Sequence, residues 1–256
     1  TFLLDPLMYP PLGALHIASK LLQEGHEVKF FDLRDYQMGV ENLVVYPQAD
    51  LYGITASTSG YNEAVKIKNT LKKIRRLVPV VIGGSHASVR PEECNKEFDA
   101  TIVGEGETSI MKVIDGARGI VTSPIIKDID TLPYPARHLL RQEARVSYNI
   151  FGGQKYSTNE AGSTVTSTRG CPFECSYCCS PCIWAGKIRF RSPENFVGEI
   201  KEIGEKYGAK RFKFVDDNFP LKKQRIIDIM DLLEPMDIQF RCHTKTSLVN
   251  QEVLEA

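Results

Sequence analysis

Cys171-Pro172-Phe173-Glu174-Cys175-Ser176-Tyr177-Cys178 follows directly on Thr164-Val165-Thr166-Ser167-Thr168, a β-rich run. Three thiols at C-x3-C-x2-C spacing therefore stand on a loop at the end of a predicted strand. Three thiolates on so short a loop suit three irons of a [4Fe–4S] cube and leave the fourth iron open to a small molecule. Zinc is the rival soft-ligand reading. Its structural sites pair two C-x2-C arms a dozen or more residues apart, and no second arm at that separation follows here. Cys179 and Cys182 read as loop thiols near the cluster, with an accessory redox or ligating role as the alternative, and Cys94 and Cys242 as buried small hydrophobes. The chain has 7 cysteines in 256 residues, five of them crowded between Cys171 and Cys182. That distribution points to metal in a reducing compartment, not to a disulfide framework.

Outward from the loop, strand and helix alternate. Downstream, Phe196, Val197, Ile200 and Ile203 share a helical face. Phe212, Phe214 and Val215 make a strand ending at Asp216-Asp217-Asn218, Ile226, Ile227, Met230 and Leu233 a second helix, and Ile238 to Cys242 a third strand. Three strand–helix units cannot close a barrel, so this unit reads as incomplete. Upstream, Phe2-Leu3-Leu4, Val28 to Phe31, Leu51 to Ile54, Val80 to Ile82, Ala100 to Val103 are read as strands. Ala14, Leu15, Ala18, Leu21 and Leu22 mark one helix, Tyr61 to Val78 a long one, Pro91 opens a short one, and Glu107 to Ile114 forms another. This alternation predicts a parallel sheet covered on both faces. Three strands run into turns of small residues, 55–60, 83–88 and 104–108, at the edge where open α/β sheets bind ligands. Asp128 to Arg137, with two prolines and no steady period, reads as an interdomain linker.

Composition narrows the class. Lys+Arg and Asp+Glu both total 32, for a formal net charge of zero, so a local basic patch remains open but no wholesale basic surface for nucleic acid is expected. Hydrophobic residues at 42% and charged residues at 25% suit a soluble globular protein. No apolar run approaches the about 18 residues of a bilayer span, and no secretory leader pattern is present, so a cytoplasmic protein is expected. The first residue is Thr1, which fits a chain preceded by further residues.

The cysteine spacing with an aromatic before the third thiol resembles the radical S-adenosylmethionine (radical SAM) signature. That resemblance implies Cys171, Cys175 and Cys178 as cluster ligands, Tyr177 as an adenine contact, and Asp216 or Asn218 as SAM contacts. His243, Thr244 and Lys245, ending the third strand, are further candidates to face SAM. The first half resembles the cobalamin-binding domain of the B12-dependent radical SAM class. Tyr9-Pro10-Pro11-Leu12-Gly13, Gly83-Gly84-Ser85-His86-Ala87-Ser88, Gly104-Glu105-Gly106-Glu107 and the 132–137 linker carry that likeness in order. It implies cobalamin contacts at Leu12, Thr55, Ser57, Thr58, Gly83, Gly84, His86, Gly104, Glu105 and Gly106. Many cobalamin domains place a histidine below cobalt; here that turn reads Asp32-Leu33-Arg34-Asp35-Tyr36-Gln37, so Arg34, Tyr36 or water is expected there instead. His86 is read as a nucleotide-tail contact or a turn-stabilising residue, His16 and His26 as surface. A dinucleotide site lacks its third glycine, because Ser109 stands there. Glu105 and Glu107 are expected to cap the following helix, with acid–base work as the alternative.

The implied fold is α/β: a Rossmann-like doubly wound parallel sheet over 1–126, a linker over 127–162, and the N-terminal half of a radical SAM (βα) barrel over 163–256. The implied activity is a cobalamin-dependent radical SAM enzyme, foremost a methyltransferase working on an unactivated carbon through a 5′-deoxyadenosyl radical and methylcobalamin. A B12-dependent rearrangement or cyclisation enzyme, or a truncated cofactor-binding module, are the alternatives. The implied cofactors are a [4Fe–4S] cluster, SAM and cobalamin. The implied partners are a small-molecule or peptide substrate, an electron donor such as flavodoxin or ferredoxin, and a further segment or chain completing the barrel, with no membrane and no nucleic acid.

Overall fold

A computed structural model describes residues 9–32, 48–140, 145–147, 150–151, 160–249 and 251. The expected strand at Phe2-Leu3-Leu4, and Arg34 and Tyr36, lie outside the described residues.

Val80-Val81-Ile82 sits at the centre of the first sheet because it is apolar on both faces. It forms β2 (Val80–Gly83), flanked in parallel by β1 (Tyr52–Thr55) and β3 (Ala100–Ile102), with β4 (Gly119–Val121) outside β3. Val80 and Ile82 pack under α2 (Tyr61–Ile74), α3 (Ser85–Val89) and α4 (Pro91–Asn95). Val81 faces the other way, onto α5 (Gly106–Ile114) and the Ile17–Leu21 side of α1 (Leu12–Gln23). Helices thus cover both faces, as a doubly wound sheet requires.

Three expectations change here. Val28 to Phe31 is irregular: the two-residue alternation is present, but no ladder to a described strand forms. The long helix stops at Ile74, four residues before Val78, because Pro79 disfavours helical backbone at the residue preceding it. Leu77 consequently lies 93% exposed. The run 164–168 is not one strand: β5 (Gly162–Val165) ends, and β6 (Thr168–Arg169) restarts at an angle as an antiparallel partner of β7 (Arg189–Phe190).

The second sheet, β5-β8-β9, is parallel, with β8 (Arg211–Phe214) in the middle and β9 (Gln239–Arg241) at the edge. Val165, Phe212 and Phe214 point to one face and meet Phe196, Ile200 and Ile203 of α7 (Pro193–Tyr207) and Ile226 and Ile229 of α8 (Lys223–Leu233). Phe196 and Phe214 are wholly buried and meet edge to face, centroids 5.0 Å apart. Each such phenyl contributes about 2–3 kcal/mol through burial. Helix α7 carries its own start and stop: the Ser192 hydroxyl accepts from the Asn195 amide, Pro193 follows, and Gly208 closes it at φ +69°. α6 (Ser180–Trp184) lies within the β6–β7 excursion.

Residues 128–140 connect the units as an ordered strap. His16 Nδ1 donates to the Pro133 carbonyl at 3.2 Å, and Ala136 N donates to Leu15 O at 3.2 Å. On the other side the Tyr134 hydroxyl donates to Asn195 O at 2.9 Å, and Asp130 accepts from the Ser192 amide. Gly198 makes room for this: a Cβ there would lie 2.6 Å from the Tyr134 oxygen.

Candidate functional site

The carboxyl ends of the two sheets meet. β5 and β6 lead into the cysteine loop, and β7 leads out of it, so residues 170–188 form one excursion between paired strands. Gly170, at φ +96°, lets that excursion close on itself, since a Cβ there would fall 2.0 Å from Lys187 O. α6 within it packs on α3 of the first sheet, and the open side of Gly104 looks at Ile183 O, 3.8 Å from where a Cβ would stand.

Within the loop, Cys171 is buried, Cys175 half-buried and Cys178 exposed, and every cysteine is a free thiol. Among the described residues no three His, Cys, Asp or Glu side chains converge on a single metal ion. The donor chemistry nevertheless fits a cube, in which each thiolate takes its own iron. Two N–H groups already point at sulfur: Asn218 Nδ2 lies 3.2 Å from Cys171 Sγ, and the Ser180 amide 3.4 Å from Cys178 Sγ. Such hydrogen bonds to ligating sulfur tune a cluster. The Asn218 carbonyl oxygen accepts from the Lys245 amide at 2.8 Å, tying the ends of β8 and β9 together. Tyr177 is 90% exposed beside these thiols.

Asp216 is turned inward. It is 1% exposed, and its Oδ1 accepts from the Ser167 amide (2.8 Å), the Thr168 amide and the Thr168 hydroxyl (2.6 Å). Burial pushes its carboxyl above the usual range, and these donors offset only part of that. This capture of two amides is the reason the β5 run breaks before β6. His243, Thr244 and Lys245 are exposed at the end of β9, and Lys245 Nζ lies 4.2 Å from the Phe173 ring centroid. Cys94 is wholly buried as expected, but Cys242 is exposed, because β9 is an edge strand with all three residues uncovered. Trp184 packs against the Arg189 guanidinium, 5.5 Å from its ring centroid.

On the first sheet, Thr55, Ser57 and Thr58 are exposed along the carboxyl edge beside Gly83 and Gly84, with Leu12 heading α1. His86 is 4% exposed behind Thr58, its Nδ1 3.1 Å from Thr58 Oγ1 and its ring tilted against Tyr61, centroids 4.1 Å apart. Its Nε2 is buried with no hydrogen-bond partner. That nitrogen faces the Glu93 carboxylate, 4.0 Å away, so it is the exposed hydroxyl row of Thr55, Ser57 and Thr58 that suits the amide- and phosphate-rich periphery of a corrin with its nucleotide tail. Gly84, φ +96°, serves the protein itself: a Cβ would stand 2.6 Å from Thr55 Oγ1. Gly106 likewise admits Ile17, whose Cδ1 would be 2.4 Å from a Cβ.

Glu105 and Glu107 do not cap α5, which has no side-chain cap. Both are buried by arginines of the second unit. Arg169 binds Glu105 at 2.7 Å and Glu107 at 2.5 Å, and Arg189 binds Glu105 at 2.6 Å. Burial alone would raise the Glu107 carboxyl, but the Arg169 charge outweighs it and holds the carboxyl low. Engaged in these ion pairs, neither carboxylate is free to serve as an acid or base. A second buried group stands behind: Glu199 joins Arg137 and Arg191 at 2.7 and 2.5 Å. These four arginines were not read as site residues. The available signal was charge at alternate positions of a strand, Arg189 and Arg191, beside the run Arg169-Gly170-Cys171.

His16 is buried at this junction, not on the surface, because α1 turns it under the strap. Burial, then the Arg169 charge, pushes its pKa down to about 4. The unfolded chain takes up this proton near its ordinary value and the folded chain only near 4. Stability is therefore full above pH ~6.5 and falls by roughly 3 kcal/mol as pH drops toward 4. Urea unfolding between pH 7 and 4 checks this: His16→Gln should flatten that part of the profile.

Comparison with known proteins agrees with this architecture. Residues 6–114 match the B12 binding domain family, and residues 165–256 match the Radical SAM superfamily. An uncharacterized methyltransferase of Pyrococcus horikoshii is 29% identical over 276 residues, covering 96% of this chain and 58% of the relative. The anaerobic magnesium-protoporphyrin IX monomethyl ester cyclase of Synechocystis is 29% identical, covering 84% of this chain and 46% of the cyclase. The solved structure of the radical S-adenosylmethionine methyltransferase TsrM from Kitasatospora setae superposes with TM-score 0.68 at 16% identity, over 96% of this chain and 54% of that one. A second structure of TsrM, with cobalamin and a [4Fe–4S] cluster bound, gives TM-score 0.65. The chain thus spans about half the length of the relatives it matches. With both matches in this order along one fold, the chain carries a B12-binding domain followed by a Radical SAM domain, whose cofactors are cobalamin, a [4Fe–4S] cluster and SAM.

Proposed function

We propose that this chain is the cofactor-bearing part of a cobalamin-dependent radical SAM enzyme, a methyltransferase acting on an unactivated carbon. One observation carries the reading: the cysteine-loop excursion packs against the glycine-rich edge of the first sheet, held there by Arg169 and Arg189. Loaded, such a pair of sites supplies reductive SAM cleavage and corrin-borne methyl delivery, chemistry that reaches a carbon lacking an acidic hydrogen or a leaving group. The protein's own part is placement. Cys171, Cys175 and Cys178 hold the cluster. Asn218 steadies the Cys171 sulfur, and exposed Tyr177 offers its ring to adenine. Asp216 supports SAM from behind, by fixing the turn that feeds the loop. Leu12, Thr55, Ser57, Thr58, Gly83, Gly84, His86 and Gly104 line the corrin side, while Glu105 and Gly106 maintain the edge they stand on.

The remaining parts of the reading are a small-molecule or peptide substrate, a one-electron donor of the flavodoxin or ferredoxin kind, and a reducing cytoplasm suited to the free thiols. The domain limits are 1–126 and 163–256, joined by 127–162, with the open edge of β9 taking the strand that continues the barrel. Among the described residues no helix is long and apolar enough to cross a membrane.

Anaerobic reconstitution with iron, sulfide and cobalamin, followed by metal quantitation, tests the proposal. About four irons and one cobalt per chain are expected; stoichiometric zinc without iron overturns the cluster. Because a cyclase is among the relatives, product analysis separates the two chemistries. S-adenosylhomocysteine, 5′-deoxyadenosine and a methylated product together mark methyl transfer, whereas a rearranged product without S-adenosylhomocysteine marks cyclisation.

A further inference from the structure

We propose that Arg169, acting with Arg189 on Glu105 and Glu107, is a positioning residue that fixes the cysteine loop against the corrin-facing edge of the first sheet. This rests on the cofactor reading above and goes beyond it. Arg169 and Arg189 are direct cross-strand partners in the β6–β7 pair. Two like charges at such a position repel. They are held there because a carboxylate from the other unit stands between them: Glu105 Oε1 takes Arg169 at 2.7 Å and Oε2 takes Arg189 at 2.6 Å. Glu105 Oε2 also accepts the Ile126 amide at 2.8 Å, so the carboxylate itself cannot swing. Glu107 fills the second nitrogen of Arg169.

These two arginines are the feet of the excursion that carries every cysteine of the cluster loop. One stands two residues before Cys171, the other at the return of the chain after α6. A grip on both feet sets where the loop sits relative to the sheet edge, not merely that the units touch. The group is charge-neutral, two carboxylates against two guanidiniums, and its side chains are at most 10% exposed. The planar fork of Arg169 reaches two separate carboxylates at once, which a lysine ammonium does as a point charge without fixed direction. Neither Glu105 nor Glu107 is then available to touch a cofactor, so their place is to set distance and angle between the two cofactor sites.

The test uses the cofactor-loaded protein with the cluster reduced and the corrin as cob(II)alamin, both paramagnetic, and reads their dipolar coupling by electron paramagnetic resonance. Arg169→Lys should keep wild-type iron and cobalt content yet broaden the interspin distance distribution about twofold, because the fixed fork is gone. An Arg169→Lys protein with a lowered melting temperature but an unchanged distance distribution makes the residue a stabilising contact only, and overturns the proposal. Where Arg169→Lys yields too little folded protein, Glu107→Gln makes the same comparison, since Glu105 still bridges both arginines. Wild-type protein that binds no iron or no cobalamin overturns the cofactor reading itself and this inference with it, a result distinguishable because it appears before any substitution is made.

Discussion

Replacing Cys171, Cys175 and Cys178 together by alanine will leave the protein without iron after anaerobic reconstitution, a fall from about four irons to none with loss of the sulfur-to-iron absorption. The three side chains are free thiols on one excursion, and the Ser180 amide and the Asn218 side chain donate to two of the sulfurs. The control is Cys94→Ala. Cys94 is wholly buried beneath Tyr61 in the core between α2, α4 and the first sheet, so its loss should lower stability by about 1 kcal/mol and leave iron content unchanged. Cys179→Ala and Cys182→Ala should also retain iron. Iron retained in the triple variant would remove the cluster from this loop.

The second large effect lies at Glu199. Its carboxylate is 2% exposed, held by Arg137 and Arg191, and those two charges keep its pKa low against the upward pull of burial. Glu199→Ala strands two buried guanidiniums. Breaking a buried pair from one side costs about 3–5 kcal/mol. At roughly 2–4 °C per kcal/mol for a chain of this size, the melting temperature should fall by about 10 °C. Raising salt should not recover the loss, because buried charges are little screened. Glu202→Gln on the same helix removes only the exposed pair with Lys206 and should change stability by less than about 0.5 kcal/mol. An equal loss in the two variants would mean that Glu199 is not the buried keystone its surroundings indicate. Arg137 reaches further, to the Ser163 hydroxyl and the Thr164 carbonyl, so the variant should loosen the strap from β5 as well.

What was legible in the chain follows from range. Helices α1, α2, α5, α7 and α8 announce themselves because their apolar residues recur over two turns or more. α3 and α6, five residues each, end before a period can repeat, and three-residue β4 begins at Gly119, so these were not read. The thiols were legible because ligand spacing on one loop is a local property. His16 was not: its helical position put it off the main apolar stripe, and only the strap folding over α1 buries it.

Two α/β units, a cysteine loop at a strand end and a row of small-residue turns are all written locally in the chain, since they depend on neighbours a few residues apart. Tertiary structure alone decided the use of the charged residues. Glu105 and Glu107 meet Arg169 across 64 and 62 positions, and Glu105 meets Arg189 across 84. Burial reverses what a charge means: on the surface it is solvated and interchangeable, whereas inside it must find one partner at one distance. No local pattern encodes that partner, because it lies on the other folded unit and exists only once the two sheet edges have met.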